Sequence, residues 1–161
     1  MQENEHIRAY VATHLFLESI YNQTRYEDLM VLVSGMSLSS DGQRSIDPAM
    51  LDDWTEVVGS RKLSTRIEAF AAARDYLVNW YEIGPQDEIK AVIDSMETGD
   101  DGRPVLSGTA EIWDRCWASV CEDFSAGEPF KTVFSYATSV NGKPGRMERR
   151  ASDGFLEFVE D

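Results

Sequence analysis

Residues 7–21 read IRAYVATHLFLESIY, and residues 67–81 read IEAFAAARDYLVNWY, which repeats the first stretch at a shift of sixty positions. In each stretch the apolar residues recur at steps of three and four, as expected for one face of an amphipathic helix. Any two such helices share several apolar matches when one is slid along the other. The residues that follow each stretch therefore decide whether the similarity is a duplication.

The residues that follow favour a duplication. Three pairs of landmarks occur in the same order and at nearly the same spacing: Met36 with Met96, Asp41-Gly42 with Asp101-Gly102, and Trp54 with Trp113. We therefore predict internal repeats at residues 7–58 and 67–120, each with three helices. The Trp of each repeat is expected to hold the third helix in the core, where a large aromatic side chain buries the most area.

Two helix starts are marked clearly in the sequence. Asp47 before Pro48 combines a residue that accepts free backbone amides with one suited to the first helical position. Thr65 and Glu68 have the spacing of a capping box. We expect the third helix of the first repeat and the first helix of the second repeat to begin at these points.

Length and composition suit one domain. With 161 residues, of which 42% are hydrophobic, the chain can bury a single core. Within residues 128–161 the pattern changes, because apolar residues alternate from Phe134 to Val140 and Asn141-Gly142 is typical of a hairpin turn. We therefore predict a mainly α fold over residues 1–161, in which two three-helix units pack as one helical domain with a short β-rich C-terminal tail.

The sequence has no feature of a membrane or secreted protein. No apolar run approaches the roughly 20 residues that a helix needs to span a bilayer. The acidic first residues, 1–5, lack the basic flank of a signal peptide. Cys116 and Cys121 are too far apart on one helix to form a disulfide and are expected to be reduced. We expect a cytoplasmic protein that does not contact membranes.

Acidic residues are in large excess. The chain has 29 acidic and 15 basic residues, which gives a net charge of −14 and a pI near 4.4. Such a field repels nucleic-acid phosphates and attracts basic surfaces. We therefore expect no direct binding to nucleic acid, and a basic protein is the favoured partner. An acidic surface that serves only solubility explains the charge equally well.

Patterns typical of catalysis or of metal binding do not occur in the sequence. His6 and His14 are the only histidines, and they form no metal-binding motif. Adjacent acids such as Asp52-Asp53 are not part of a calcium loop. Phosphate-binding loops and nucleophile motifs are also missing. We therefore predict a protein that is not an enzyme and needs no metal or cofactor.

Several short runs of the first repeat resemble a known class of protein. These runs are Phe16-Leu-Glu-Ser-Ile-Tyr-Asn-Gln-Thr-Arg25, Asp28-Leu29 with Leu32, Gly35-Met-Ser-Leu38, Asp41-Gly42, Asp47-Pro-Ala49 and Asp52-Asp-Trp54. In them the chain resembles small helical immunity proteins encoded beside bacterial polymorphic toxins, of the contact-dependent growth inhibition kind. The second repeat lacks the Asp-Pro-Ala run. Members of such families bind one toxin tightly and block its active site or substrate surface.

The resemblance implies a toxin-neutralising protein that occludes a cognate toxin domain. Toxins of the nuclease type have basic substrate channels, to which an acidic inhibitor is complementary. The acidic loops and the helix starts beside them are the predicted contact surface: Asp41, Asp47, Asp52 and Asp53 in the first repeat, and Asp94, Glu97, Asp100 and Asp101 in the second.

Other functions are compatible with the sequence, and an enzyme is among them because active sites assemble from residues that are distant in the sequence. Another is an acidic DNA mimic, such as an anti-restriction inhibitor. A protein of this kind is expected to bind many DNA-binding proteins in a salt-sensitive way. Immunity instead predicts one partner and an interface with an apolar centre. The duplicated halves also suit a scaffold or an oligomer surface, and the sequence leaves the oligomeric state open.

Overall fold

The computed structural model describes residues 2–39, 41–129, 137–149 and 156–161. In these residues the chain forms six α-helices: α1 Gln2–Thr24, α2 Glu27–Met36, α3 Pro48–Val58, α4 Arg66–Ile83, α5 Asp87–Ser95 and α6 Ser107–Ser125. Three strands follow, β1 Ala137–Val140, β2 Lys143–Arg149 and β3 Leu156–Glu160. The mainly α fold with a β-rich tail is thus confirmed. No helix in the described ranges is long and apolar enough to cross a membrane.

Both predicted helix starts are confirmed. Asp47 accepts the backbone amide of Ala49 at 3.1 Å, and Pro48 is the first residue of α3. At the start of α4, Thr65 Oγ1 accepts the amide of Glu68 at 3.2 Å, while the Glu68 carboxylate accepts the amide of Thr65 at 3.0 Å. These reciprocal bonds satisfy amides that have no partner inside the helix. The Thr65 hydroxyl also donates to Glu68 Oε1 at 3.0 Å, and this hydrogen bond is the largest cause that lowers the pKa of Glu68.

The loop between the second and third helices has the same geometry in both units. In the first unit Asp41 accepts the backbone amide of Gln43, and in the second Asp101 accepts that of Arg103, both at 3.0 Å. The glycine after each aspartate has a positive φ, 72° in the first loop and 78° in the second. Glycine adopts this conformation without steric cost, which explains why the Asp-Gly pair occurs in both units.

The two units share one core. Trp54 and Trp113 are each 1% exposed, as predicted. Their indole N–H groups donate to the backbone carbonyls of His6 at 3.1 Å and Arg66 at 2.9 Å, which ties each third helix to the first helix of its own unit. Phe16 of α1 packs edge-on against Trp113 of the other unit, with ring centroids 5.7 Å apart. Helix α1 packs against α2, α3, α4 and α6 and is therefore central to the domain.

A tight turn joins the first two strands of the tail. Asn141 and Gly142 have φ values of 54° and 76°, as a two-residue hairpin turn of type I′ requires, and this confirms the predicted turn. Strand β2 pairs antiparallel with both β1 and β3. The first alternating residues of the predicted pattern, at 134–136, lie outside the described residues.

Candidate protein-binding surface

Three of the four predicted acids of the first unit lie at the start of α3 or on it. Asp47 caps the helix and is exposed, Asp52 is exposed on its surface, and Asp53 is half-buried beside them. The pKa of Asp53 is raised by burial and by the charges of Glu56, Asp52 and Asp47. A raised carboxyl pKa shows that the surroundings of Asp53 disfavour more negative charge. We call the side chains of Asp47, Asp52, Asp53 and Glu56 the α3 acidic cluster.

Asp41 has a role inside its own loop. Its carboxylate accepts hydrogen bonds from the Ser39 hydroxyl at 2.6 Å and from the Gln43 amide at 3.0 Å, and these bonds lower the pKa of Asp41. Asp41 also lines an open cleft of about 720 Å³ between the start of α1, α3 and the end of α6. Apolar side chains, including Leu51 and Phe124, form part of its wall. The first unit therefore has acidic and apolar groups side by side.

The predicted acids of the second unit lie apart from the α3 acidic cluster, on α5 and on the loop that follows it. Asp94 of α5 forms an ion pair with Lys90 at 3.0 Å. Asp101 accepts a backbone amide of its own loop, as described above, and Glu97 and Asp100 are exposed in the same loop. The structure thus divides the eight predicted residues into two regions.

Basic groups offset part of the charge of the second unit. Arg66 and Arg103 approach the two carboxylate oxygens of Asp114, each at 3.6 Å. Because these side chains are about half exposed, the pairs contribute little to stability but reduce the local negative field. The α3 acidic cluster is therefore the stronger candidate for contact with a cation.

Two exposed aliphatic residues were missed by the sequence reasoning. Val105 and Leu106, in the loop before α6, are 58% and 51% exposed. Leu106 lines a groove of about 420 Å³ together with Tyr26 and Ile112. Two consecutive aliphatic residues in a segment otherwise rich in turn residues are a signal in the sequence that points to this position. Exposed large apolar groups beside a groove are typical of protein contact sites.

An unexpected contact joins acids of the two units. Helices α2 and α5 begin beside each other, and the backbone amide of Asp28 donates to Glu88 Oε1 at 3.1 Å. Gln86 Nε2 donates to Asp28 Oδ1, also at 3.1 Å. The pKa of Asp28 is raised by desolvation, by its hydrogen bond to Glu88 and by the charge of that residue. The Asp28 and Glu88 carboxyl groups thus lie near each other where α2 and α5 begin, and each accepts a hydrogen bond from the other unit.

In the described part of the chain, no group of three or more His, Cys, Asp or Glu side chains is arranged to hold a metal ion. The carboxyl of Glu18 is buried in α1, and burial raises its pKa to about 8. Burial also raises the pKa of Cys116, so its thiol is less reactive than an exposed one.

Comparison with known proteins gives no match: no protein-family model, curated protein or solved structure is similar to this chain. Three features of the surface bear on function: the α3 acidic cluster, the exposed Leu106 beside a groove, and the contact between Asp28 and Glu88.

Proposed function

We propose that the protein is an immunity-type inhibitor that binds a basic toxin domain and occludes its substrate surface. The α3 acidic cluster, on the same helix that supplies Leu51 to the wall of the larger cleft, is the observation that carries this proposal. Carboxylates attract a cationic domain from a distance and orient it, which increases the rate of association. The resemblance of the first repeat to immunity proteins supports the same assignment.

The rigid position of α3 supports tight binding. The helix is capped by Asp47 at its start and is anchored by the hydrogen bond between Trp54 and the carbonyl of His6. A surface that is already ordered loses less conformational entropy when a partner binds. Occlusion requires no catalytic group in the inhibitor, since bound protein excludes the substrate from the toxin.

Apolar groups on the surface favour one specific partner over DNA mimicry. A mimic needs carboxylates in place of phosphates, whereas a tight protein interface has an apolar centre with a polar rim. Leu51 lines the larger cleft, and Leu106 is exposed at the smaller groove. Asp41 lines the same cleft as Leu51, so that cleft combines apolar and acidic groups in the manner expected of such an interface.

Affinity capture tests the proposal. The tagged protein is co-expressed with the product of the neighbouring open reading frame and captured at moderate salt. We expect one stoichiometric partner that survives a salt wash and whose toxicity is suppressed in cells. Many salt-labile DNA-binding proteins would support mimicry instead, and the absence of any stoichiometric partner would refute immunity.

A pair of charge-matched variants locates the contact. Asp52→Asn with Glu56→Gln removes two exposed carboxylates of the α3 acidic cluster. The control, Glu82→Gln with Glu122→Gln, removes two exposed carboxylates elsewhere. We expect the first pair to reduce the association rate about tenfold at low salt, and the control to leave it nearly unchanged. Equal effects would show that only net charge matters.

A further inference from the structure

The smaller groove lies between elements of both units. Its wall comes from the end of α1, the start of α2, and helices α5 and α6, and it includes five apolar side chains: Ile20, Tyr26, Val92, Leu106 and Ile112. Leu106 contributes although it is half exposed, so a large part of its side chain is available to a partner. A groove of about 420 Å³ is large enough to receive an aliphatic side chain.

One end of this groove is strongly acidic. On α5, Glu88 precedes Ala91 and Val92 by three and four residues and therefore lies on the helix face that lines the groove. Glu88 is in contact with Asp28, which follows Tyr26 by two residues. Glu27 and Asp87 are exposed beside them. Four carboxylates thus surround the point where α2 and α5 begin.

The basic residues near this end are already engaged. Lys90 forms an ion pair with Asp94 at 3.0 Å. The guanidinium of Arg25 lies over the ring of Tyr21, 5.5 Å from its centroid. A cation supplied from outside the chain would therefore offset the repulsion between Asp28 and Glu88.

We propose that the groove receives an aliphatic side chain from a basic segment of the partner, and that a Lys or Arg of the same segment binds Asp28 and Glu88. The proposal rests on the proposed function and specifies the chemistry of the partner. It adds a contact surface, formed by both repeats, that lies outside the eight acids predicted from sequence. The apolar side chains of the groove pack against the aliphatic side chain, and the carboxylates of Asp28 and Glu88 favour a cationic segment over a neutral or acidic one.

Binding of a synthetic peptide tests this chemistry directly. The probe is a labelled amphipathic helix with Leu on one face and Lys on the other, and its affinity is measured by fluorescence anisotropy. Leu106→Asp adds a negative charge, so any loss of affinity for a basic peptide comes from the lost apolar contact. Val31→Asp is the matched control, because Val31 is 62% exposed on α2, does not line the groove and receives the same charge.

We expect Leu106→Asp to weaken peptide binding about tenfold or more and Val31→Asp to leave it within about twofold. A second variant, Gly108→Leu, fills the groove from the start of α6, where an added Cβ meets no atom within 4 Å. Gly108→Leu should reduce the affinity for the peptide by a similar factor. Asp28→Asn with Glu88→Gln should weaken binding more than the charge-matched control Glu82→Gln with Glu122→Gln. Thermal melts establish that each variant is folded.

The outcomes separate this inference from the proposed function. Absence of peptide binding by the parent protein, or equal losses in Leu106→Asp and Val31→Asp, would overturn the groove assignment. The same variants are then used to capture the product of the neighbouring open reading frame. If the parent and Leu106→Asp both capture this product stoichiometrically and with equal affinity, the groove assignment is overturned, while the proposal of an immunity-type inhibitor stands. If the parent captures no partner, the proposal of an immunity-type inhibitor is refuted. The peptide results alone then decide whether the groove binds an aliphatic side chain of a basic segment.

Discussion

At the scale of single residues, Glu18 has the most unusual environment. It is 6% exposed, and its Oε2 atom is buried without a hydrogen-bond partner. Burial disfavours the charged carboxylate, so the pKa rises from 4.5 to about 8. At neutral pH the folded protein therefore keeps a proton that the unfolded chain loses.

This proton makes stability depend on pH. Because the folded-state pKa of Glu18 is raised above its unfolded value, stability falls as pH increases from about 4.5 to about 8 and is constant beyond that range for this group. Glu18→Gln removes the titration. We expect the free energy of unfolding of Glu18→Gln, minus that of the parent, to be about 2–4 kcal/mol larger at pH 8 than at pH 5. Chemical denaturation of both proteins at pH 5 and at pH 8 measures this change. If the variant and the parent differ by the same amount at both pH values, the titration of Glu18 does not contribute to stability.

Two glycines provide a matched pair of substitutions. Gly102 has a φ of 78°, and an added Cβ would lie 2.7 Å from Ile67 Cγ2, whereas Gly108 in α6 has open space. Gly102→Ala should cost about 1–2 kcal/mol from the backbone conformation alone, and the contact with Ile67 adds to it. Gly108→Ala should instead stabilise by about 0.5–1 kcal/mol. Melting temperatures that shift in the same direction would contradict this reading.

At the scale of secondary-structure elements, much of the fold was predictable because its signals are local. A capping residue acts on amides two or three positions away, so Asp47 and Thr65 mark their helices whatever surrounds them. The contact between Asp28 and Glu88 was not predictable, since it depends on how α2 and α5 pack. The exposure of Leu106 depends on tertiary packing for the same reason.

The cap of α3 can be tested separately from its charge. Asp47→Asn keeps a side-chain oxygen that accepts the amide of Ala49, whereas Asp47→Ala removes it. We expect Asp47→Ala to lower the free energy of unfolding by about 1 kcal/mol and Asp47→Asn to lower it by much less. Urea denaturation gives both values. Equal losses would indicate that the negative charge, and not the hydrogen bond, stabilises the start of α3.

At the scale of the whole molecule, the shared core makes the two repeats depend on each other. Phe16 of the first unit contacts Trp113 of the second, and α1 packs against both α4 and α6. A separate unit of roughly 60 residues buries a smaller fraction of its surface on folding and is therefore only marginally stable, and each of these units also loses the contacts that the other unit provides. The single-domain prediction for residues 1–161 rests on the same reasoning.

Separated repeats provide the measurement. We expect a fragment of residues 2–63 to show weak helical circular dichroism and no cooperative thermal transition, while the whole chain melts in one step. Mixing it with a fragment of residues 64–129 should restore helical signal, because the two surfaces are complementary. Cooperative melting of either fragment alone would show that the units are independent domains.

The two Asp-Gly loops have one backbone geometry but different side chains around it. Both loops share the hydrogen bond of the Asp and the positive φ of the Gly, while the next, exposed position holds Gln43 in the first loop and Arg103 in the second. The two units thus present side chains of different charge on the same turn. A substitution at the exposed position of one loop therefore changes the surface of that unit and leaves the loop of the other unit as it is.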